Sequence, residues 1–231
     1  MRVSVTGLSA FLFLVGAGAA QSGDLVFLDN PTWLNTPTVE QMAGAYPSGR
    51  VRSGQVTLLC AANRDGTLKN CDVQSELPQG QGFAKAAQSL APLFKADVGE
   101  ISDHQLPRIL IVVPVHFTAP GDRDATRTST DPAWVGTPEL QDAFPAKAAQ
   151  AGTTTGKAVL ECTSDRHGLM TDCQVLDETP AGEDFGPAAL HVAAAMSVNP
   201  WIAPGLPAEG ERVKFAIRLN RDDASSPSKG Q

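Results

Sequence analysis

The chain has 231 residues, with 18 basic and 25 acidic side chains, so its formal net charge is −7. A negative surface repels phosphate groups, which argues against nucleic acid or an anionic membrane as its partner. The sequence contains four cysteines, an even number that two disulfides would use completely.

The first twenty residues predict export. Arg2 is their only charged side chain, and the apolar run 7–20 (GLSAFLFLVGAGAA) ends in small residues. This pattern is typical of a secretory signal peptide, which we assign to 1–20. The alternative is an uncleaved anchor, although the run is shorter than the ~20 residues that span a bilayer. We therefore expect the mature chain in the periplasm, with no stable membrane insertion after cleavage.

The rest of the sequence repeats itself at an offset of 101 or 102 residues. The recurring landmarks are Trp33 and Trp134, Cys60 and Cys162, Cys71 and Cys173, and Phe83 and Phe185. Such repetition predicts two copies of one structural unit. We assign the copies to 30–117 and 132–220, a Thr-, Asp-, Pro- and Gly-rich linker to 118–131, and a disordered polar tail to 221–231.

In the first copy the predicted elements follow the order helix, hairpin, helix, strand. Thr36 as N-cap and Pro37 at the first helical position predict where the first helix begins. The Asp65-Gly66 pair between alternating apolar segments predicts the hairpin turn. The predicted elements are a helix over 38–46, strands over 55–61 and 68–74, a helix over 82–94 and a strand over 108–117. The second copy repeats this order with segments 139–144, 157–163, 170–176, 185–196 and 212–219.

Four cysteines in an exported chain favour disulfides, and three pairings are formally possible. Cys60 and Cys71 lie symmetrically about the predicted turn, so they would face each other across the hairpin. Cys162 and Cys173 repeat that arrangement. We therefore predict the pairs Cys60–Cys71 and Cys162–Cys173. The rival interpretations are a zinc site, which usually pairs Cys two to four residues apart, and a redox-active Cys-x-x-Cys, and neither spacing occurs.

Short motifs occur in the same order in both copies. In the first they are Tyr46-Pro47, Gly54-Gln55-Val56, Asp65-Gly66, Phe83 and Ala86-Ala87, and in the second they are Phe144-Pro145, Gly156, Gly168, Phe185 and Ala188-Ala189. This order resembles the TonB C-terminal domain family over nearly the whole mature chain. The resemblance implies an α+β fold of two tandem modules. Each would have a small three-stranded antiparallel sheet, two helices and one hairpin disulfide.

The resemblance also implies a function. Family members grip a short extended segment of outer-membrane transporters by adding it as a strand along a sheet edge. By position, the partner-binding edge residues would be Ile109, Ile111, Val113, Val115, Val213, Phe215, Ile217 and Leu219. Pro114 lacks an N–H donor, which favours the second edge over the first. We expect capture of an extended peptide or an envelope-protein segment, related to TonB-dependent transport.

Two alternatives to external binding remain. The edge strands could pair with one another in a homodimer, which would make the protein a self-associating envelope scaffold without a peptide ligand. An enzyme is not expected, because the sequence has no nucleophile elbow, phosphate loop or dinucleotide fingerprint, and its four histidines are scattered. No metal and no cofactor are expected for the same reason. Trp33 and Trp134 would be binding anchors if exposed, but their repetition favours a place in the core.

Overall fold

The computed structural model describes residues 25–49, 51–99, 108–119, 128–140, 143–202 and 205–222, so the predicted signal peptide lies outside the described residues. Two similar halves make up the structure, which is mostly β, with 46% strand and 19% helix. The expected α+β class is therefore wrong. Three of the four helices are shorter than predicted, and segments interpreted as connections form additional strands.

The first half, described within 25–119, has six strands and two α-helices. They are β1 (Leu25–Leu28), β2 (Trp33–Asn35), α1 (Val39–Ala45), β3 (Ser53–Ala62), β4 (Leu68–Leu77), α2 (Phe83–Leu90), β5 (Lys95–Ala96) and β6 (Arg108–Thr118). One 3-10 turn, Ala91–Leu93, follows α2.

The second half, described within 128–222, repeats this arrangement with additional short strands. Its elements are β7 (Thr128–Ser129), β8 (Trp134–Gly136), α3 (Ala146–Ala151), β9 (Thr155–Ser164), β10 (Met170–Thr179), α4 (Phe185–Ala193), β11 (Ser197–Val198), β12 (Trp201–Ile202), β13 (Leu206–Pro207) and β14 (Arg212–Asn220).

Each half is built on a four-stranded mixed sheet, in the order β1-β6-β3-β4 in the first half and β10-β9-β14-β7 in the second. The three long strands of each half are antiparallel, as expected, but β1 joins β6 and β7 joins β14 in parallel. The predicted three-stranded antiparallel sheet is therefore wrong. The reason is the same in both halves, because the segment just before each predicted copy pairs with the last long strand of that copy.

One face of each main sheet is buried by a helix. In the first half, Val56 and Leu58 of β3 point toward α2, whose Phe83 and Leu90 are buried with them. Gly54 lies under the Phe83 ring, and a Cβ at Gly54 would overlap that ring. Gly156 and Phe185 repeat this contact in the second half. The helix and sheet approach closely because glycine leaves the ring room to lie flat against the strand.

The predicted disulfides are confirmed. Cys60 is bonded to Cys71 and Cys162 to Cys173, each pair with its Cα atoms 4.0 Å apart across a hairpin. Each bond closes a loop between cysteines separated by 11 residues. In the chain-entropy model a loop of this size contributes about 3 kcal/mol to stability.

The first turns of α1 and α3 differ from prediction. Thr38, not Thr36, is the N-cap of α1, because Thr38 and Gln41 form a capping box. The Gln41 N–H donates to the Thr38 hydroxyl at 3.2 Å, and the Thr38 N–H donates to the Gln41 side chain at 2.9 Å. The predicted helix 139–144 is wrong. The helix forms at Ala146–Ala151, where four of the six residues are alanine, the strongest helix former.

A glutamate in the hairpin anchors the start of the long helix in each half. The Glu76 carboxylate accepts hydrogen bonds from the N–H groups of Gly80 at 3.1 Å and Ala84 at 3.0 Å. Glu178 binds Gly182 at 2.6 Å and Gly186 at 2.7 Å in the same way. Neither helix has a side-chain cap at its N-cap residue, so a neighbouring strand supplies the acceptor. The sequence pattern did not predict this contact.

Replacing Glu76 should make the free energy of unfolding depend less on pH in the acidic range. The N–H of Ala84 first, and then that of Gly80, holds the pKa of the Glu76 carboxyl below its ordinary value. This stabilisation is present above the unfolded pKa of about 4.3 and is lost as the pH falls through the folded pKa. Glu76→Gln should lower the urea midpoint at pH 7 and lower it less at pH 3, which lies below the unfolded pKa. The control is Glu139→Gln, at an exposed position. A Glu76→Gln loss that is equal at both pH values would contradict the assignment.

The hairpin turn should not tolerate a side chain at Gly66. Its φ is +83°, and a Cβ there would collide with the carbonyl oxygen of Ala96. Gly80 is a matched control, since its φ is +71° and nothing lies within 4 Å of its Cβ position. We expect Gly80→Ala to cost about 1–2 kcal/mol, from backbone strain alone. Gly66→Ala should cost about 3 kcal/mol or more, because the backbone must also move. Urea denaturation of both variants measures the difference, and equal losses would count against the close approach of Gly66 to Ala96.

Candidate functional site

The residues predicted to form the partner-binding edges lie with their side chains in the core. In β6 these are Ile109, Ile111, Val113 and Val115, all buried. In β14, Val213, Ile217 and Leu219 are buried and Phe215 is half-buried. These side chains face the helix side of the sheet, so an added strand would meet the backbone of β6 or β14. The backbone pairing therefore decides whether either strand offers an edge.

The outer side of β6 is filled by other parts of the chain. β1 pairs with it from Leu25 opposite Arg108 to Leu28 opposite Ile111. Farther along, the His116 N–H donates to the Gly205 carbonyl at 2.7 Å. β6 is therefore an interior strand of its sheet, and its predicted edge is occupied from within the molecule.

Trp201 of the second half also reaches β6. Its indole N–H donates to the Pro114 carbonyl at 2.9 Å, and its ring packs edge-on against Phe94 with centroids 4.8 Å apart. The side chain is 2% exposed and belongs to the hydrophobic core of the first half. Asn199, 3% exposed, adds a hydrogen bond to the Pro31 carbonyl at 2.9 Å. The two halves therefore pack against each other through a shared core.

A small cleft lies beside Trp201. It has a volume of about 150 Å³ and is lined in part by Trp33, Val112, Pro114 and Trp201. Ligand pockets are typically about 300–1,000 Å³, so this cleft could take little more than one side chain. We do not regard it as the functional site.

Among the residues that the structure describes, nothing pairs with the outer side of β14 over most of its length. β7 pairs with it at Arg212 and Val213 only. Within the described ranges, no strand pairs with that side over 214–220. In the first half, the Pro114 carbonyl binds Trp201 and the His116 N–H binds Gly205, so both groups point away from β3. The register places Ala216 and Arg218 of β14 at the positions equivalent to Pro114 and His116. The N–H and C=O groups of Ala216 and Arg218 therefore point away from β9.

The aromatic side chains next to this open side are less buried than their counterparts. Trp134 packs edge-on against Phe215 with ring centroids 4.9 Å apart, and both side chains are half-buried. Trp33, the counterpart of Trp134, is 4% exposed and packs against Phe94 in the core that holds Trp201. Trp33 is thus a core residue, as expected, whereas Trp134 retains an exposed surface beside β14.

Comparison with known proteins assigns no family to this arrangement. The sequence matches no family model and no curated protein. In the part of the chain that the structure describes, no helix is long and apolar enough to cross a membrane. Among the same residues, no three His, Cys, Asp or Glu side chains are grouped to hold a metal ion. The two disulfides indicate an oxidising environment.

Sequence reasoning missed β1 and the contribution of Trp201. Residues 25–28 precede the predicted start of the first copy, and their short apolar run does not reveal which strand they pair with. Trp201 has no repeated counterpart, because residue 99 in the first copy is Gly99. The absence of a repeat partner was the available signal, since a large aromatic residue present in one copy only can serve a contact between copies.

Truncation of Trp201 should destabilise the protein far more than truncation of Trp134. Trp201→Ala removes a buried ring from the core of the first half and should cost about 3–5 kcal/mol. Trp134→Ala removes a half-buried ring and should cost roughly half as much or less. Urea unfolding followed by far-ultraviolet circular dichroism compares the two without relying on tryptophan fluorescence. Equal losses would show that the Trp201 ring does not join the halves as described.

Proposed function

We propose that this protein captures an extended segment of another protein along the outer side of β14. The observation that carries the proposal is the difference between the two halves. The outer side of β6 is filled by β1, Trp201 and Gly205, whereas that of β14 is paired only at Arg212 and Val213 among the described residues. An unpaired row of N–H and C=O groups is what strand addition requires.

The first half supports this mode of binding, because it holds a strand of the same kind. β1 lies at the outer edge of its sheet and pairs in parallel with β6. Its Leu25 and Phe27 are 54% and 57% exposed, and Leu28 is the residue of β1 that packs against the core. Backbone pairing is therefore the interaction that all four residues of β1 share. A foreign segment on β14 would use the same interaction.

The predicted signal peptide, the disulfides and the resemblance to the TonB C-terminal domain together support a periplasmic location. They also support a partner in the cell envelope, and a relation to TonB-dependent transport is part of the proposal. The sequence has no long Pro-rich spacer to reach across the periplasm. We therefore limit the proposed activity to binding and do not include energy transduction.

Self-association is the second candidate, and β1 is the observation that favours it. Leu25, Val26 and Phe27 are exposed on an edge strand, which is a typical site of pairing between copies. On β14 the charges oppose self-pairing. Antiparallel pairing of two copies centred on Ala216 would place Lys214 of each copy opposite Arg218 of the other, and like charges directly opposed are destabilising. A dimer would therefore form through β1 and leave β14 open.

Ala216→Pro should abolish capture while leaving the fold intact. Proline removes the outward N–H of Ala216, and the equivalent position in β6 is already Pro114, so this place in the fold accommodates the ring. The ligands would be peptides selected from a random eight-residue display library on the unmodified protein. We expect their affinity for Ala216→Pro to fall about tenfold, since one backbone hydrogen bond is lost.

Pro114→Ala is the matched control, because it makes the opposite change on the filled edge and should leave peptide affinity unchanged. Circular dichroism and urea unfolding would establish that both variants are folded. Selected peptides that bind Ala216→Pro as tightly as the unmodified protein would overturn the proposed site. A selection that yields no binders would overturn the proposed function itself.

A further inference from the structure

Basic side chains line the open side of β14 on the face of the sheet opposite α4. Lys214 and Arg218 are exposed on β14, and Lys157 is half-buried on β9 directly opposite Arg218. We call these three residues the basic row. They lie on a chain whose formal net charge is −7, so the basic row differs in sign from the molecule as a whole.

Within the described residues, the basic row has no acidic partner. Lys157 and Arg218 are opposed in the register, an arrangement that costs stability because like charges repel. Glu161 lies opposite Lys214, but its carboxylate is 3.5 Å from the guanidinium of Arg212 and is engaged there. No carboxylate in the described part of the chain lies within ion-pair distance of the basic row.

The basic row lies beside the open edge of β14 and is not repeated beside the filled edge of β6. The positions equivalent to Lys157, Lys214 and Arg218 in the first half are Gln55, Val112 and His116. The side chains of Gln55 and Val112 cannot carry a positive charge. β6 and β14 therefore have the same place in the fold and differ in the charge of the side chains around them.

On this basis, which rests on the function proposed above, we propose that the captured segment is acidic. Side chains of Lys214, Ala216 and Arg218 point to the same face, and those of an added strand would lie opposite them with Cβ atoms about 4.5–5.5 Å away. Two carboxylates four residues apart would pair with Lys214 and Arg218, and a small residue would lie opposite Ala216. Arginine can bind one carboxylate through two hydrogen bonds.

The alternate side chains of the same segment would point to the helix side of the sheet. There they would meet Phe215 and Trp134, which are half-buried and apolar. The expected pattern of the segment is therefore acidic, apolar, small, apolar, acidic. The rival explanation is that the basic row only prevents β14 from pairing with other edges, which is a common use of charged residues on edge strands.

Three labelled peptides of identical apolar pattern test the proposal by fluorescence anisotropy. Their one-letter sequences are SEVAFEVS, SQVAFQVS and SKVAFKVS, which differ only in the charge of two residues four positions apart. At low salt we expect the glutamate peptide to bind about tenfold tighter than the glutamine peptide, and the lysine peptide to bind most weakly. The advantage of glutamate should shrink to about twofold at 0.5 M salt, because exposed charges are screened.

Arg218→Gln and Lys214→Gln should each reduce the advantage of the glutamate peptide to about threefold and leave the glutamine peptide unaffected. Lys69→Gln, which removes an exposed charge from β4 in the first half, is the control and should change neither affinity. Equal binding of all three peptides would overturn the acidic preference and leave strand capture in place, with the basic row acting only against edge pairing. Binding by none of them, together with a selection that yields no binders, would overturn strand capture as well.

Discussion

The insertion of Trp201 into the core of the first half is the interaction on which the rest of the structure depends. Its ring packs against Phe94, and its indole N–H donates to the Pro114 carbonyl, which points outward from β6. One side chain thus supplies buried apolar area and closes a polar sheet edge. Because Trp201 belongs to the second half, closing this edge also joins the two halves.

This contact makes the two halves unequal. A repeated fold places a similar outer edge on β6 and on β14, but the chain has one Trp201 and one β1. Both lie on β6, whereas in the described part of the chain β14 receives the two residues of β7 and no other strand on that side. Duplication of a module therefore need not give two equivalent sites. The edge of β6, which is filled from within, joins the two halves, whereas among the described residues most of the outer edge of β14 has no strand partner.

The disulfides and Glu76 explain how such small units hold their shape. Each hairpin is closed by a bond across two long strands, and the carboxylate at the end of the hairpin binds the first turn of the following helix. The strand pair, its turn and the helix are thereby connected through contacts that are local in sequence. The outer edge of β6 or β14 faces away from this hairpin, so its occupancy can differ between halves while the hairpin and helix stay the same.

The sequence by itself determined the local structure. Alternation predicted the long strands, the Asp65-Gly66 pair predicted the hairpin, and the symmetry of Cys60 and Cys71 about that turn predicted the disulfide. Each of these depends on residues within about a dozen positions of one another. The positions of α1 and α3 were less well predicted, because a capping box at Thr38 and an alanine-rich segment outweighed the signals at Thr36 and 139–144.

Only the tertiary structure decided which edge is available. The pairing of β1 with β6 joins segments about eighty residues apart, and the hydrogen bond from Trp201 to Pro114 spans 87 residues. Backbone N–H and C=O groups are the same for every residue other than proline, so a sequence pattern does not reveal which of them find partners. The same reason explains the incorrect fold class, since the fourth strand of each sheet is added through backbone pairing that no side-chain periodicity records.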